Sequence, residues 1–279
     1  MAQRQDLVIS IVNYNTRDLL DQCLDSIYSL GLSHSFEICV VDNNSTDGSQ
    51  EMVRSKYSRV SLICNNDNPG FGRANNQVIA NADSRYMLIL NPDIIVKPGS
   101  IENVIAFMDK NADVGITGCK LLNPDNSIQY SCRRFPVAST ILLRGLGADF
   151  FASNASYLKS YLMSDWDHET LSDVDWVMGS CMFLRMDALK HTGLFDEKFF
   201  MYYEDVDLCI RMWNKYRVCY FPDSNMIHYH LKHSHKLTSL SQRFIHIKSA
   251  YRFFKKHGIN PVRELLSVDN KQYKARKVL

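Results

Sequence analysis

YMLILNPDII, residues 86–95, runs apolar from Tyr86 to Leu90, stops at Asn91-Pro92-Asp93, and turns apolar again at once. Asn followed by Pro is ordinary turn chemistry, so a bend alone explains the tripeptide. A carboxylate at the end of a buried strand also suits a second purpose. Open α/β sheets bind ligands beyond the carboxyl ends of their strands. The neighbouring segments decide between the two. LVISIVNY (7–14), FEICVVD (36–42), VSLICN (60–65) and RYMLILN (85–91) read as strands rich in β-branched residues. RDLLDQCLDSIYSL, SQEMVRSKY, RANNQVIANA and SIENVIAFMDKN read as helices between and after them. In the first of these, Leu19, Leu20, Cys23, Leu24 and Ile27 recur at helical spacing, and Thr16 is placed to cap it. This alternation predicts an α/β fold, a mostly parallel, Rossmann-like central sheet with helices on both faces. All four strands end in polar residues: Asn13 and Asn15, Asp42, Asn65 and Asp67, Asn91 and Asp93. Packing does not demand that pattern, whereas a binding edge does.

Beyond residue 120 the alternation breaks. LLNPDNSIQYSCRRFP (121–136) reads as a hairpin around Pro124-Asp125-Asn126. Residues 140–172 mix aromatic and small residues and read as a mobile or substrate-specific insertion. DWVMGSCMFLRMDAL (175–189) reads as a strand entering a helix, and FDEKFFMYYEDVDLCIRMWNKY (195–216) as a loop and a helix. VCYFP and NMIHYH read as short strands. A helix over 240–257 places Phe244, Ile247, Tyr251 and Phe254 on one face.

With 279 residues, 46% hydrophobic and 22% charged, the chain has globular composition and room for one large α/β domain or two small ones. No apolar run approaches the ~20 residues of a membrane span. MAQRQD leads straight into a strand, without the look of a secretory leader. Eight cysteines are scattered without a CxxC pair, mostly among apolar residues. Reduced core thiols and a cytoplasmic protein are expected, and a zinc site made of these cysteines is not. Net charge is +2 but uneven: from His230 onward there are 12 Lys+Arg against 2 Asp+Glu, leaving 20 against 28 in the remainder. A basic tail on an acidic body calls for an anionic partner, such as a membrane surface or nucleic acid, or is simply solvated.

Five groups of residues bear chemistry. Asp42, closing its strand in VDNNSTDGS, is placed to accept a hydrogen bond from a base or ribose edge, while Ser45 and Asp47 suit capping of the next helix. In NPGFGRANN (68–76), Gly70 and Gly72 permit close backbone approach, the following helix offers N–H groups to a phosphate, and Arg73 adds a positive charge. Asp93 suits Mg²⁺ or Mn²⁺, hard cations that share oxygen ligands with a diphosphate. Glu204, Asp205 and Asp207 crowd one turn at a helix start. Asp207 and Arg211, four apart, form a structural pair, which leaves Glu204 or Asp205 for proton abstraction. Among His228, His230, His233 and His235, alternation puts the first two on one strand face. Zinc binding there stays open, with solvated histidines as the plain reading of the last two.

Together these segments resemble inverting family 2 glycosyltransferases of the GT-A fold, and among them a bacterial rhamnosyltransferase-like branch. The resemblance is carried by VISIVNYNTRDLLDQCLDSI (8–27), VVDNNSTDGS (40–49), NPGFGRANN (68–76) and LILNPDIIV (88–96). It continues through DWVMGSCMFLRMDAL (175–189), GLFDEKFFMYYEDVDLCIR (193–211) and FPDSNMIHY (221–229). Each motif is common, but their combined order is specific, and they cover about residues 6–235. The resemblance implies that Asp42 contacts the nucleotide base, Asn15 and Arg73 the nucleotide and its diphosphate, and Asp93 the metal. Asn91 stands where the family's DxD-type motif has its first acid, which weakens the expected metal dependence. His228 would be the further metal ligand, with His230 as fallback. Asp205 matches the general base, with Glu204 beside it. Trp176, Gly179 and Ser180 would lie between donor and acceptor, and Arg134 would reach a diphosphate or an anionic acceptor.

The implied partners are a nucleotide-sugar donor, dTDP-L-rhamnose or a UDP-sugar, and a lipid-linked glycan acceptor; no nucleic-acid partner is expected. The implied domain is 1–235, with a donor half to about residue 120 and an acceptor half from 121. Residues 236–279 form a basic helical extension. That extension is expected to rest on an anionic membrane surface, with Lys248, Arg252, Lys255 and Lys256 flanking the apolar face, or else to dock through Phe244, Tyr251 and Phe254. A non-catalytic nucleotide-sugar-binding protein is the alternative. An NAD-type oxidoreductase is set aside because VNYNTRDLL stands where GxGxxG would follow the first strand.

Overall fold

The computed structural model describes residues 4–139, 141, 156–229, 239–267 and 273. Strands β1 (Gln5–Asn13), β2 (Phe36–Asp42), β3 (Ser61–Cys64) and β4 (Ser84–Leu90) alternate with helices α1 (Arg17–Tyr28), α2 (Ser49–Lys56) and α3 (Phe71–Ile79). β5 (Ile94–Val96), α4 (Ser100–Lys110) and β6 (Val114–Leu122) follow. The irregular half holds β7 (Ile128–Gln129), β8 (Cys132–Arg133), α5 (Ser156–Leu162), β9 (Ser172–Asp173), β10 (Trp176–Val177) and β11 (Cys181–Arg185). Helices α6 (Met186–Thr192) and α7 (Glu204–Met212), strand β12 (Arg217–His228), and helices α8 (Ser239–His257) and α9 (Pro261–Ser267) complete it.

The main sheet runs in the order β3-β2-β1-β4-β11-β6-β12-β5. The first four strands are parallel, β11 runs against β4 and β6, and β12 lies parallel to β6. The sheet is therefore mostly parallel, with its reversed strands at β11 and β5 and at the short β7 and β9 off this path. Strand alternation divides the core. Leu7, Ile9 and Ile11 of β1 pack with Leu20, Leu24 and Ile27 of α1 and Val104 of α4. Val8, Met87 and Ile89 face the other way, toward Ala74 and Val78 of α3 and Leu208 and Trp213 beyond. Both faces are covered, which is why these strands read as nearly unbroken apolar runs. VCYFP and the NMIH of NMIHYH are one strand, β12, whose register slips between Phe221 and Asn225 around Pro222. The expected hairpin forms, with Leu121 opposite Gln129 and Leu122 opposite Ile128.

Two local readings change. Thr16 does not cap α1; its hydroxyl donates to Asn13 Oδ1 at 2.6 Å, and Asp47 Oδ2 accepts from the Arg17 amide at 2.8 Å instead. On α8 only Phe254 of the apolar face read from sequence packs on the core. Leu240, Phe244, Ile247 and Tyr251 are exposed, while Ala250 and Phe253 are buried. Burying a side chain such as Phe253 stabilises by about 1.5–3 kcal/mol. His230, His233 and His235, and residues 140 and 142–155 of the expected insertion, lie outside the described residues. No described helix is long and apolar enough to cross a membrane.

Candidate active site

The carboxyl ends of β1, β2 and β4, the start of α7 and one side of α8 enclose a cleft of about 2080 Å³. On the β4 side, both readings of Asn91-Pro92-Asp93 hold. The Ile94 amide donates to the Asn91 carbonyl at 3.3 Å, closing a four-residue turn, and the turn carries Asp93 onto the cleft wall. Asp93 Oδ1 faces His228 Nε2 at 3.2 Å. His228 is oriented from behind: its Nδ1 lies 2.5 Å from Gln129 Oε1. Gln129 Nε2 in turn donates to Asn123 Oδ1 at 3.0 Å, which fixes the direction of the amide. An amide oxygen only accepts, so the Nδ1 proton points at Gln129 and Nε2 is turned toward Asp93. Asp93 Oδ1 is shut off from solvent without a hydrogen-bond partner among the described residues.

These residues fit a hard divalent cation. The 3.2 Å separation is close to the edge, about 3.0 Å, that an octahedral ion with ~2.1 Å bonds spans between adjacent ligands. Among the described residues no cluster of three or more His, Cys, Asp or Glu side chains forms. A two-ligand rim of this kind leaves the remaining positions to substrate phosphates and water.

Two residues expected at the nucleotide are placed elsewhere. Asp42 is fully buried. Its carboxylate accepts from Asn13 Nδ2 (2.7 Å), Gln50 Nε2 (2.7 Å) and the Ser45 amide (2.8 Å). It holds the loop together, and its neighbours Asn43, Thr46 and Asp47 line the cleft instead. Arg73 is 61% exposed and pairs with Glu197 at 3.6 Å. Two positions along a helix is about 200° around it, so with Phe71 on the cleft Arg73 points outward. Asn15 is on the wall as expected, and its Oδ1 accepts from the Thr46 amide at 2.8 Å. Gly70 also lines the cleft, but what its missing Cβ admits is the backbone carbonyl of Phe200, at φ +93°. The Phe71 amide donates to that same carbonyl at 3.1 Å.

Across the cleft, Tyr202 and Tyr203 both take φ +69°, a strained conformation for aromatic residues, directly before α7. That turn delivers Glu204 and Asp205 to the wall. Asp205 Oδ2 accepts from the Gly179 amide at 3.0 Å and Oδ1 from the Val206 amide at 2.8 Å. Burial pushes the Asp205 carboxyl up, against those amides and the Arg133 charge. Burial and then the charge of Asp205 push Glu204 up well above the usual carboxylate range. Glu204 Oε2 has no partner among the described residues. One dipeptide joins the two walls: the Gly179 amide holds Asp205, and the Ser180 carbonyl accepts from the Asn91 amide at 2.8 Å. A Cβ on Gly179 would stand 3.1 Å from the Phe71 ring, so only glycine lets that ring come so close.

Trp176 is buried, lines the cleft, and donates from Nε1 to the Arg134 carbonyl at 2.8 Å. Arg134 itself is not on the wall; its side chain is exposed and lies 3.9 Å from Asp175. Consecutive residues of a strand point to opposite faces, and the cleft receives Arg133. Of the eight buried side-chain atoms without a hydrogen-bond partner among the described residues, four are here: Asp93 Oδ1, Arg133 Nε, Ser180 Oγ and Glu204 Oε2. Such atoms are rare in folded proteins, and their gathering around one cleft, on both of its walls, marks where a polar ligand goes.

Helix α8 closes the cleft with Gln242, Arg243 and His246. It is fastened to α7 at Asp207, whose carboxylate is fully buried and meets Arg211 Nε (2.9 Å), Lys256 Nζ (2.7 Å) and His257 Nε2 (2.7 Å). The expected Asp207–Arg211 pair is thus part of a larger clamp. Sequence reasoning missed Gln129, Arg133, Tyr202, Tyr203 and α8 as a wall. The CRRFP stretch, the aromatic pair before Glu204 and the apolar face of 240–257 held local signals, and Gln129 held none.

A parallel half-sheet that ends in a ligand rim, joined to a mixed half that carries a buried carboxylate pair, is the architecture of GT-A glycosyltransferases. The chain belongs to glycosyl transferase family 2, whose family pattern matches residues 8–192. It is 29% identical over 259 residues to the N-acetylglucosaminyl-diphospho-decaprenol L-rhamnosyltransferase of Mycobacterium tuberculosis, covering 88% of this chain and 83% of that one. It is 31% identical over 199 residues to rhamnosyltransferase WbbL of Escherichia coli, covering 68% and 72% respectively. The fold is similar to the mannosyltransferase PcManGT of Pyrobaculum calidifontis in complex with GDP-Man and Mn²⁺. That match has a TM-score of 0.56 and 17% identity, over 99% of this chain and 74% of that one. The protein is therefore a glycosyltransferase.

Proposed function

We propose that this enzyme transfers L-rhamnose from a nucleoside-diphosphate donor, dTDP-L-rhamnose or a UDP-sugar, to a hydroxyl of a lipid-linked glycan, with inversion, in bacterial surface polysaccharide assembly. The observation that carries the reading is the pairing of two walls across one cleft. Asp93 and His228 stand on one, Asp205 and Glu204 on the other, and Gly179-Ser180 tie them together. The names of the two rhamnosyltransferase relatives support the choice of sugar, and the decaprenol-linked substrate in one of those names supports the choice of acceptor.

A sugar hydroxyl is a poor nucleophile near neutral pH, so a placed carboxylate takes its proton as it attacks. Asp205 has that role. Its two backbone amides fix its rotamer, and burial keeps it basic. Burial and the charge of Asp205 push Glu204 up as well, so the pair disfavours two adjacent charges, and Asp205, held by two amides, is the member suited to be the ionised one. Asp93 and His228 would hold Mg²⁺ or Mn²⁺, which when bound neutralises charge on the departing diphosphate. Asn91 positions the Asp93 turn through its backbone, and Asn15, Gly70 and the Asn43–Asp47 loop shape the nucleotide side. Trp176 backs the acceptor side of the cleft, fixed by its bond to the Arg134 carbonyl.

The lipid end of the acceptor is served by α8. Leu240, Phe244, Ile247 and Tyr251 form an exposed stripe, and Ile247 and Tyr251 also line the cleft. Of the four basic residues expected to meet an anionic bilayer, Arg252 binds the Lys198 carbonyl, and Lys256 binds Asp196 and Asp207. Lys248 and Lys255 remain for lipid headgroups. Peripheral attachment at the inner face of the membrane therefore rests mainly on apolar insertion, and vesicle co-sedimentation should change little with salt. Absence of the protein from the vesicle pellet at every ionic strength removes the membrane contact.

The test of function is donor turnover across dTDP-, UDP- and GDP-sugars, with and without Mn²⁺. Release of nucleoside diphosphate is expected, suppressed by chelator and by Asp93→Ala. Turnover indifferent to both refutes the metal role.

A further inference from the structure

Arg133 is a cation on the cleft wall that the proposed transfer does not use. The β8–β10 pairing sets it directly opposite Trp176, and its guanidinium lies over the indole, 5.6 Å from the ring centroid. The indole is itself fixed by its bond to the Arg134 carbonyl. Arg133 Nε is closed off from solvent and has no hydrogen-bond partner among the described residues. A desolvated N–H without a partner is costly, so the group is built to receive one. A planar guanidinium held against an aromatic face presents its fork to a phosphate or carboxylate with little ordering left to do. The residue sits on the Asp205 side of the cleft, close enough for its charge to favour the ionised form of that carboxylate. The donor's diphosphate already has the Asp93–His228 rim opposite.

We propose that Arg133 binds a diphosphate oxyanion of the acceptor, and so selects acceptors whose sugar is linked to lipid through a diphosphate. This rests on the proposed transfer to a lipid-linked glycan and names the group by which that acceptor is recognised. The donor's diphosphate has the same chemistry, and the experiment separates the two.

Arg133→Gln and Arg133→Lys are compared with the wild type in three measurements. These are the Kd for thymidine diphosphate with Mn²⁺, the KM for N-acetylglucosaminyl diphosphate bearing a short prenyl tail, and the KM for octyl N-acetylglucosaminide. In Arg133→Gln the KM for the diphosphate acceptor should rise about 10- to 100-fold, the loss of one charge-assisted contact. The other two constants should hold, and Arg133→Lys should recover part of the loss. On the wild type itself, inorganic pyrophosphate should compete with the diphosphate acceptor and not with the octyl glycoside, which keeps the proposal testable if a variant fails to fold. A rise in the thymidine diphosphate Kd instead would assign Arg133 to the donor and overturn the acceptor role. Equal effects on both acceptors would overturn it as well. A wild type that transfers to neither acceptor from any donor would sink the functional reading rather than this one.

Discussion

The two walls of the cleft are made by different means. The wall we propose for the donor is assembled from consecutive strand–turn–helix units. Asn15, the Asn43–Asp47 loop, Gly70 and Asp93 each stand within a few residues of the end of a parallel strand. The wall we propose for the acceptor is assembled from remote pieces: Arg133 from a short strand, Trp176 from its partner, Asp205 from a helix start, and His246 from α8. Local chain direction places the first set. The second depends on contacts that must all form, namely the Gly179–Asp205 bond, the packing of α8 on Tyr203, and the clamp at Asp207. Damage to the donor wall should therefore act on one ligand, and damage to the acceptor wall on stability and turnover together.

The sharpest separation is expected from Asp205→Asn. The amide cannot take the hydroxyl proton, so kcat should fall by about 10²- to 10⁴-fold. The Kd for nucleoside diphosphate should hold, because Asp205 lies across the cleft from the Asp93–His228 rim. In the wild type, burial raises this base, so activity is present above the raised value and lost as pH falls through it. The acid limb of kcat against pH should accordingly lie above the usual carboxylate range. An acid limb within the ordinary range, or an active Asn variant, moves the base elsewhere.

Asp207→Asn comes next. Breaking a buried ionic cluster by removing one partner costs about 3–5 kcal/mol. Here it also releases Lys256 and His257, which hold the end of α8. Denaturant unfolding should shift by that amount. Turnover should fall more than nucleotide binding, since α8 closes the acceptor wall. Burial raises the Asp207 carboxyl, but His257, Arg211 and Lys256 outweigh it and hold the group at about 2, against an ordinary 3.8. Its folded value is below its unfolded one. The stabilisation is therefore complete above about pH 4 and is lost as pH falls toward 2. A variant whose acid unfolding matches that of the wild type contradicts the clamp.

What could be read in advance follows the same division. The strand–helix alternation of the parallel half, the turn at Asn91 and the polar strand end that carries Asp93 come from periodicity and strand-end polarity. Glu204 and Asp205 stand out as carboxylates crowding a helix start, and their opposition to Asp93 comes from the family resemblance. Asp42 misleads because a strand-end aspartate serves a loop as well as a ligand, and three donors bury it. Arg73 and Arg134 mislead by angle, the first by two helix positions and the second by one strand position. Gln129 was not legible at all, since its partner is 99 residues away and meets it only through the sheet. The α8 stripe is apolar at helical spacing, yet of it only Phe254 joins Ala250 and Phe253 in docking the helix. Periodicity reports that a face exists and not what covers it.

Gln129→Ala tests a support of the donor wall that local reading does not reach. Without the amide oxygen, His228 loses what fixes its ring and tautomer. Affinity for Mn²⁺ in the presence of nucleoside diphosphate should drop by about 10- to 100-fold. The melting temperature should stay near that of the wild type. Unchanged Mn²⁺ affinity would detach His228 from the metal.

The smallest effect is expected where the two walls meet. Gly70 belongs to the donor wall by sequence, yet its α-carbon lies against the Phe200 carbonyl, two residues before Tyr202. Gly70→Ala would force that segment back and place alanine at φ +93°. The cost is about 1–3 kcal/mol. The displaced carbonyl also accepts from the Phe71 amide, so the start of α3 must move with it. Because Phe200 leads through the strained tyrosine pair into Glu204 and Asp205, kcat should fall while nucleotide affinity changes less. Were the donor wall self-contained, the reverse would follow: weaker nucleotide binding at unchanged kcat. Measuring both constants on this one variant therefore decides whether Gly70 serves the nucleotide or the seam between the walls.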